Sequence, residues 1–334
     1  MDAKGLLTTL ARDAGFRITR FTPVRPTPHA AFLDTWLARG RAASMAWIAR
    51  GRDVRADPRV RVPWARTALL LAVEHHHRRP PDPGGRTGWV ARYAWGRDYH
   101  NLVGKRLKKL GAALDAHGIR SWGGVDTAPI LERAWAEAGG LGFAGKNTLQ
   151  IAPGRTSWML LAVLFVDVDV PGDPPLGDHC KACTRCLVAC PTAAFVGPRE
   201  LDAARCISYW TIEARGLPPV ELRPGFGRWV FGCDRCQEVC PHNHHPPDPD
   251  EDDLLPRHPY LDLDWVVSSP DDVLLERFTG TPLRRPGAVG LKRNALIVLG
   301  NLGDRDGIPA VRGALAHPSE VVRDAARWAL DRLG

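Results

Sequence analysis

The eight cysteines are the residues whose type and spacing indicate chemistry most directly. Four of them form a C-x2-C-x2-C-x3-C-P run. The other four are an isolated cysteine and, after 26 intervening residues, a C-x2-C-x3-C-P run. This spacing is typical of two-cluster ferredoxins, in which four thiolates hold each 4Fe-4S cluster and the fourth cysteine of a run ligates the other cluster. We therefore predict two clusters, one held by Cys180, Cys183, Cys186 and Cys240, and the other by Cys190, Cys206, Cys233 and Cys236.

Zinc sites of four cysteines each are the alternative for the same residues. The repeated Cys-Pro ending favours clusters, because zinc ribbons have no need of it. Disulfides are less favoured, since Met1–Phe21 lacks the apolar core of an export signal and the cytosol is reducing. The longest apolar run, Trp158–Val166, has nine residues, too few for the roughly 20 of a membrane-spanning helix. We expect a cytoplasmic redox enzyme without a membrane segment.

Length and charge narrow the class of protein further. A chain of 334 residues is long enough for two or three domains. The formal net charge of +8 favours an acidic partner such as nucleic acid. An arginine-rich composition imposed by genomic base content would give the same charge, so charge alone leaves nucleic-acid binding open.

The first half of the chain alternates helical and strand patterns. Thr67–His75 and Trp158–Val170 have the continuous apolar character of buried strands. A helix is expected over Pro129–Ala138, with Asp126 as a candidate cap. We predict an α/β or α+β domain over residues 1–170.

The second half divides into two further regions. A Pro/Gly-rich linker, Pro171–Asp178, leads into a cysteine-rich domain over residues 171–260, which includes an acidic, proline-rich loop at His242–Asp253. Residues 261–334 are predicted to be helical, because LKRNALIVLGNLGD is matched about 30 residues later by VVRDAARWALDRLG. That period suits paired-helix repeats, which here must pack on the rest of the protein because too few are present for a free-standing array.

Two further patterns are interpreted as uninformative about chemistry. Gly140–Asn147 resembles a phosphate-binding loop, but asparagine replaces the hydroxyl residue that would ligate magnesium and a helix precedes the loop. ATP binding is therefore not expected. The histidines at 75–77 and at 242, 244 and 245 are interpreted as exposed side chains.

Several stretches, taken together, resemble the epoxyqueuosine reductases over nearly the whole chain. They are Arg55-Ala56-Asp57-Pro58, Tyr93 to His100, Val125-Asp126-Thr127, Glu137 to Leu149, Arg205-Cys206-Ile207-Ser208, the eight cysteines and the helical tail. The resemblance implies a cobalamin-binding α/β domain similar to nitroreductases, a ferredoxin-like domain with two clusters, and a HEAT-like tail. It also implies that no protein histidine ligates the cobalt.

The resemblance assigns roles to individual positions. Asp126 matches the family's proton donor and also lies among the corrinoid contacts. The other predicted corrinoid contacts are Arg55, Ala91, Ser208, Cys233 and Asp234. The segment between Cys206 and Cys233 matches an insertion that meets tRNA, where Trp210, Arg215, Arg223 and Arg228 are candidates. In the tail, Arg284, Arg285, Lys292, Arg293 and Arg323 are candidates for phosphate contacts, with a solvated helix face as the alternative.

The resemblance implies reduction of epoxyqueuosine to queuosine at the wobble position of tRNA. We expect Asp126 to be a carboxylic acid kept neutral by a poorly hydrated pocket, because an epoxide oxygen leaves readily only when protonated. A helix cap is its alternative role. An external protein is expected to donate electrons to a monomeric enzyme. The rival interpretations are a corrinoid reductive dehalogenase and a ferredoxin-like electron carrier.

Overall fold

The computed structural model describes residues 2–246 and 251–334, so part of the predicted loop His242–Asp253 lies outside the described residues. The strands are β1 (Ile18–Pro23), β2 (Thr67–Glu74), β3 (Thr87–Val90), β4 (Ser121–Gly124), β5 (Phe143–Ala144), β6 (Gln150–Ile151), β7 (Met159–Val166), β8 (Phe195–Gly197), β9 (Glu200–Leu201), β10 (Trp229–Phe231) and β11 (Tyr260–Asp262).

The helices lie between and after these strands. They are α1 (Ala3–Asp13), α2 (Ala30–Ala38), α3 (Trp47–Arg50), α4 (Arg52–Ala56), α5 (Tyr99–Asp115), α6 (Glu132–Ala138), α7 (Arg185–Val188), α8 (Ile207–Ile212), α9 (Arg235–Glu238), α10 (Leu263–Ser268), α11 (Asp271–Arg277), α12 (Gly287–Leu302), α13 (Ile308–Gly313) and α14 (Glu320–Leu333).

An antiparallel sheet in the order β1-β2-β7-β4 is the centre of the N-terminal region. Side chains alternate along β2, so Leu69 and Leu71 pack with α1 and α5 on one face, while Leu70 packs with α6 on the other. Burial on both faces explains the continuous apolar run of β2, a pattern more common in parallel strands. Of the two predicted classes, the antiparallel pairing selects α+β.

A second sheet, in the order β10-β3-β11, crosses the predicted domain boundaries. β3 belongs to the region 1–170, yet it pairs in parallel with β10 and antiparallel with β11. The N-terminal region and the cysteine region therefore share a sheet. The boundaries at 170 and 260 remain predictions.

The tail consists of helices α10 to α14. The two repeated motifs correspond to α12 and α14, which pack against each other, and the matched positions Ala295 and Ala325 are both fully buried. Gly300 allows this approach, because a Cβ on it would lie 2.8 Å from the Trp328 ring. The HEAT-like assignment of the tail remains a prediction.

The structure corrects two expectations about local conformation. α6 begins at Glu132, and the residue that precedes it is Leu131, so Asp126 does not cap this helix. His75 is buried rather than exposed, with its ring edge against Trp158, and burial lowers its pKa to about 3. No helix in the described residues is long and apolar enough to cross a membrane.

Candidate active site and electron path

The first predicted cysteine set surrounds one cavity of about 180 Å³. Its lining includes Cys180, Cys183, Cys186 and Cys240, which are the four residues that the crossover rule groups together. Within the described residues, no three His, Cys, Asp or Glu side chains converge closely enough to hold a single metal ion. Zn–S bonds of about 2.3 Å place the four sulfurs of a zinc site only about 3.8 Å from one another. Four thiols around a cavity are instead suited to a larger group of several atoms, such as a 4Fe-4S cluster.

The second set comprises Cys190, Cys206, Cys233 and Cys236, all of them half-buried. Burial raises the pKa of Cys206, and the nearby Cys190 adds to that rise. Burial also raises the pKa values of Cys233 and Cys236, to which the charge of Cys206 contributes. Cys206 therefore lies near Cys190, Cys233 and Cys236. Thiols of raised pKa become thiolates readily only when a metal cation compensates their charge.

The Gly-Lys-Asn loop, which resembles a phosphate site, supports both cysteine sets. Asn147 is buried, and its Nδ2 donates a hydrogen bond of 3.2 Å to the Cys236 carbonyl. Lys146 Nζ donates to the Lys181 carbonyl at 2.6 Å, and both residues line or border the cysteine cavity. The loop therefore holds the cysteine runs in place.

Asp126 lies in a loop between β4 and α6 with a strained backbone. Its φ of +55° is in the left-handed region, which non-glycine residues rarely adopt. Glu132 holds this conformation by accepting a 2.9 Å hydrogen bond from the Asp126 backbone amide. The loop directs the carboxylate toward the start of α5, where Tyr99 Oη donates to Asp126 Oδ2 at 2.8 Å.

His100 joins Asp126 to a second carboxylate. Its Nε2 lies 3.0 Å from Asp126 Oδ2, and its Nδ1 lies 2.7 Å from Asp98 Oδ1. Burial opposes protonation of the ring, but hydrogen bonds to the two carboxylates outweigh it and raise the pKa of His100 to about 9. At neutral pH this ring is an imidazolium between two carboxylates.

The expectation that Asp126 is a neutral acid is wrong for this structure. The hydrogen bond from His100 lowers the pKa of Asp126, and its side chain is 58% exposed. A raised pKa, expected for Asp126, is found instead at Glu132, where burial raises the pKa of the carboxyl group to about 7. The proton is held by His100 next to Asp126, and Glu132 positions the loop.

Two aromatic residues connect Asp126 to the second cysteine set. Tyr93 packs with Ala91 and Cys233 in one apolar cluster, and its ring meets Tyr99 edge-on with a centroid distance of 6.0 Å. Tyr99 in turn donates to Asp126. The name Asp126 opening is used below for the surface formed by Tyr93, Tyr99, His100, Asp126 and Arg285.

The predicted corrinoid contacts lie on either side of this path. Ala91 adjoins Gly232, where a Cβ would lie 2.5 Å from the alanine methyl group. Ser208 is in the first turn of α8, and its carbonyl accepts a hydrogen bond of 3.3 Å from Thr211 Oγ1. The same hydroxyl oxygen accepts a hydrogen bond of 2.9 Å from the Gly232 amide. Ala91 and Ser208 are therefore both close to the turn that carries Cys233.

The two charged residues of the predicted corrinoid set are both held by the fold. Asp234 is 2% exposed, and it accepts hydrogen bonds from the Arg92 backbone amide and guanidinium at 2.9 and 3.2 Å. Burial raises its pKa to about 6 despite the arginines. Arg55 donates to the Ile130 carbonyl and lies over the Trp47 ring. Both side chains position loops around the Asp126 opening.

Three of the predicted tRNA contacts are exposed at one rim of the opening. Arg215 and Arg284 have exposed side chains, and Arg285 forms an ion pair with Glu213 at 3.2 Å. The hydrogen bond with Glu213 is the main reason that the pKa of Arg285 is raised, and the nearby Asp126 and Tyr99 contribute to the same rise. This rim therefore presents positive charge beside Asp126.

Burial contradicts the predicted phosphate contacts of three other residues. Arg293 is 0% exposed and donates to the carbonyls of Ala214, Gly216 and Trp210. Lys292 is buried in an ion pair with Asp271, and Arg223 is buried with its Nε bonded to the Pro218 carbonyl. Arg293 therefore joins α12 to the insertion, Lys292 joins α12 to α11, and Arg223 holds a turn within the insertion.

The remaining candidates are partly committed to the fold. Arg228 donates to the Gly85 carbonyl at 2.6 Å, and Trp210 Nε1 donates to the Ala204 carbonyl at 2.7 Å. Arg323 donates to the His317 and Pro318 carbonyls. Their donors hold loops, so they are weaker candidates than the exposed arginines of the rim.

The interpretation of the sequence missed His100, Tyr99 and Glu132 as functional residues. His100 and Tyr99 belong to the stretch Tyr93 to His100, which carries part of the family resemblance but gives no signal of proton chemistry. Glu132 is six residues after Asp126, and only the tight turn between them brings its carboxylate to the Asp126 amide. A sequence pattern without the loop conformation gives no signal of that contact.

Comparisons with known proteins follow the same division of the chain. Residues 55–127 match the family described as "Epoxyqueuosine reductase QueG, DUF1730", and residues 179–243 match the "4Fe-4S double cluster binding domain". The epoxyqueuosine reductase of Xanthomonas campestris is 38% identical, with 100% of this chain and 97% of that protein covered. That of Pseudomonas aeruginosa is 40% identical over 97% and 92%.

Solved structures agree over nearly the full length. A crystal structure of epoxyqueuosine reductase with an epoxyqueuosine-modified tRNA-Tyr stem loop superposes with a TM-score of 0.92 at 29% identity, covering 99% of this chain and 90% of that one. The Streptococcus thermophilus epoxyqueuosine reductase gives 0.89 at 27% identity, covering 100% and 90%. The chain therefore belongs to the epoxyqueuosine reductase family.

Proposed function

We propose that this chain reduces the epoxide of epoxyqueuosine in tRNA to the alkene of queuosine at the Asp126 opening, using cobalamin and two 4Fe-4S clusters. The observation that carries the proposal is the continuous path from the cysteine cavity through Cys233 and Tyr93 to Asp126. Electrons enter at thiol-lined sites, and protons are available at the other end. Reduction of an epoxide to an alkene and water consumes two electrons and two protons.

The donor sets fit the two clusters. Four cysteines surround the cavity, and among the remaining four Cys206 lies near the other three. Cys186 adds to the field that raises the pKa of Cys236, so the two sets are adjacent. Adjacent clusters suit transfer of single electrons from the surface to the interior. The crossed ligand assignment remains part of this proposal.

The residues near Cys233 also fit a corrinoid. Small side chains at Ala91 and Ser208 adjoin the turn that carries Cys233. Both ring nitrogens of His100 are engaged by carboxylates, so this nearby histidine is not free to ligate cobalt. Arg55, Asp126 and Asp234 would complete the contacts. When bound, cobalamin supplies strongly reducing cobalt at which a carbon–oxygen bond is cleaved.

Proton delivery is the part of the reaction that the chain's own residues perform. His100 holds a proton 3.0 Å from Asp126 Oδ2, and Asp98 keeps the ring charged from its other side. We propose that Asp126 passes this proton to the epoxide oxygen, and that a second proton, taken from solvent at the exposed opening, lets the oxygen leave as water. General-acid catalysis of this kind requires a donor within hydrogen-bond reach, which the exposed carboxylate allows.

The RNA is proposed to bind at the rim of the opening. Arg215, Arg284 and Arg285 would neutralise phosphates of the anticodon stem-loop and bring the modified base to Asp126. The related crystal structure contains such a stem loop. The chain is further proposed to act as a cytoplasmic monomer with a nitroreductase-like first domain and a HEAT-like tail, and to receive electrons from a separate protein.

The proposal is tested with protein reconstituted anaerobically with iron, sulfide and cobalamin. We expect about eight iron atoms and one cobalt per chain, because two 4Fe-4S clusters are formed. Incubation with dithionite and an epoxyqueuosine stem-loop should remove one oxygen atom from the RNA, measured by mass spectrometry of the nucleosides. Protein that binds both cofactors and leaves the epoxide intact would contradict the proposal.

A further inference from the structure

The cysteine cavity opens onto a face of the protein that carries unpaired positive charge. Lys181 and Arg185 lie beside its cysteines with exposed side chains, and neither has a carboxylate partner within residues 2–246 and 251–334. Lys146 lines the cavity, and its ammonium group contacts the Lys181 carbonyl. The name entry face is used below for Lys146, Lys181, Arg185 and Val188.

Nearby carboxylates compensate only part of this charge. Asp178 forms an ion pair of 2.9 Å with Arg199, and it also accepts from the Cys180 amide. Lys181 and Arg185 therefore leave an excess of positive charge on the described surface beside the cavity. A concentration of one sign of charge accelerates association with a partner of the opposite sign.

An apolar side chain stands within this charged surface. Val188 ends α7, between Cys186 and Cys190, and it is 81% exposed, more than any other large hydrophobic residue described. An apolar contact surrounded by a charged rim is the usual arrangement of small, transient protein interfaces. The segment that supplies ligands to both predicted clusters thus also supplies the apolar contact.

The entry face and the Asp126 opening are at different ends of the path. Tyr93 packs in one apolar cluster with Cys233 and meets Tyr99 edge-on, whereas the entry face borders the cavity of the other four cysteines. A protein bound at the entry face would therefore leave the Asp126 opening accessible to RNA. This separation distinguishes the entry face from the arginine rim assigned to the stem-loop.

We propose that the entry face is the docking site of an acidic, one-electron carrier protein that reduces the cysteine cavity's cluster. The inference rests on the proposed function, because it requires a cluster in that cavity. Each encounter transfers one electron, so the carrier is oxidised and the cluster reduced. Two encounters supply the two electrons that one epoxide consumes.

The test is the double charge reversal Lys181→Glu and Arg185→Glu in the reconstituted holoenzyme. Binding of an acidic [2Fe–2S] ferredoxin and of a flavodoxin is measured by biolayer interferometry at low and physiological salt. We expect the dissociation constant for the carrier that binds to rise at least about tenfold, mainly through slower association, and the salt dependence to flatten. The two carriers distinguish an iron–sulfur partner from a flavin partner.

The matched control is Lys105→Glu with Lys108→Glu, two exposed positions on α5 that change net charge equally. Carrier affinity should stay within about twofold there, since long-range charge effects are screened beyond about 10 Å. A second pair compares Val188→Asp, which should weaken carrier binding, with Val60→Asp, which is 65% exposed and lies elsewhere on the surface. Bleaching of the clusters by dithionite verifies that each variant is folded and loaded.

Three results would overturn the docking proposal. They are wild-type holoenzyme that binds neither carrier, an entry-face reversal that behaves like its α5 control, and a reversal that weakens binding of an RNA stem-loop as much as it weakens carrier binding. The last result would assign the face to RNA. Failure of dithionite-reduced wild-type enzyme to convert the epoxide would count against the proposed function alone, because that assay needs no carrier.

Discussion

At the entry face, Lys181 and Arg185 have no carboxylate partner in the described part of the chain, whereas at the Asp126 opening the charged groups are bound to one another. Asp98, His100 and Asp126 form one hydrogen-bonded series, and Arg285 is paired with Glu213. Unpaired surface charge acts over several ångströms and favours rapid, reversible association. Paired, partly buried charge is held in one geometry and suits proton transfer.

The two cysteine sets differ in the same direction. The first borders a cavity that Lys146 and Arg185 also line, while Cys233 of the second packs in the apolar cluster that includes Tyr93. The proposed electron path therefore places the first set on the side of a partner protein and the second on the side of the reaction. Variants that alter the entry face or the Asp126 opening separately test this difference, and the largest effect is expected at the cluster that connects them.

The largest effect is expected from Cys236→Ala compared with Cys183→Ala. Loss of Cys236 should abolish turnover with either a protein carrier or dithionite, because the buried cluster is the step before the corrinoid. Loss of Cys183 should abolish carrier-driven turnover while dithionite still supports part of it. Iron content should fall in both variants. Identical donor dependence of the two variants would remove the distinction between an outer and an inner site.

Asp126→Asn should lower turnover at least about 100-fold, in the range of general-acid loss. The amide cannot transfer the proton, although it can keep the hydrogen bond from Tyr99. Single-turnover assays with dithionite isolate this step from electron delivery, and stem-loop affinity serves as the test of intact structure. The exposed residue Asp115, changed to Asn, is the control. Retained turnover in the Asp126 variant would eliminate its assignment as acid.

His100→Gln should lower turnover about tenfold at neutral pH and remove the alkaline limb of the pH profile, because a general acid must be protonated. The pKa of His100 is raised from 6.5 to about 9, so the wild-type enzyme should lose activity as the pH passes 9. The same sign applies to folding: the ring's contribution to the free energy of unfolding is complete below pH 6.5 and is lost as the pH rises through 9. An unchanged profile in the variant would show that another group sets it.

The smallest effect is expected for Arg284→Ala. Removing one exposed arginine from the rim should weaken stem-loop binding several-fold and reduce the slope of log affinity against log salt by about one. Filter binding across a salt series measures both quantities, with Lys105→Ala as the control. Carrier binding at the entry face should not change. A loss confined to the carrier would reverse the assignment of the two surfaces.

Much of the local structure was accessible from the sequence. The predicted strand Thr67–His75 is observed as Thr67–Glu74, and the predicted helix Pro129–Ala138 is observed as Glu132–Ala138. The four cysteines that the spacing groups together line one cavity, and their role as ligands of one cluster stays a prediction. These features depend on periodicity and short loops, which neighbouring residues determine.

The sequence by itself restricted the ligand type and led to the predicted grouping of the cysteines, because short spacings limit how neighbouring ligands can meet, and its resemblance to a family pointed to the candidate acid. Only the tertiary structure decided the protonation states and the exposure of the basic residues. Asp126 is charged because His100 approaches from α5, and Arg293 is buried because the insertion covers α12 with backbone carbonyls. The pKa of a side chain and its exposure to solvent both depend on groups that are distant in the chain and close in space.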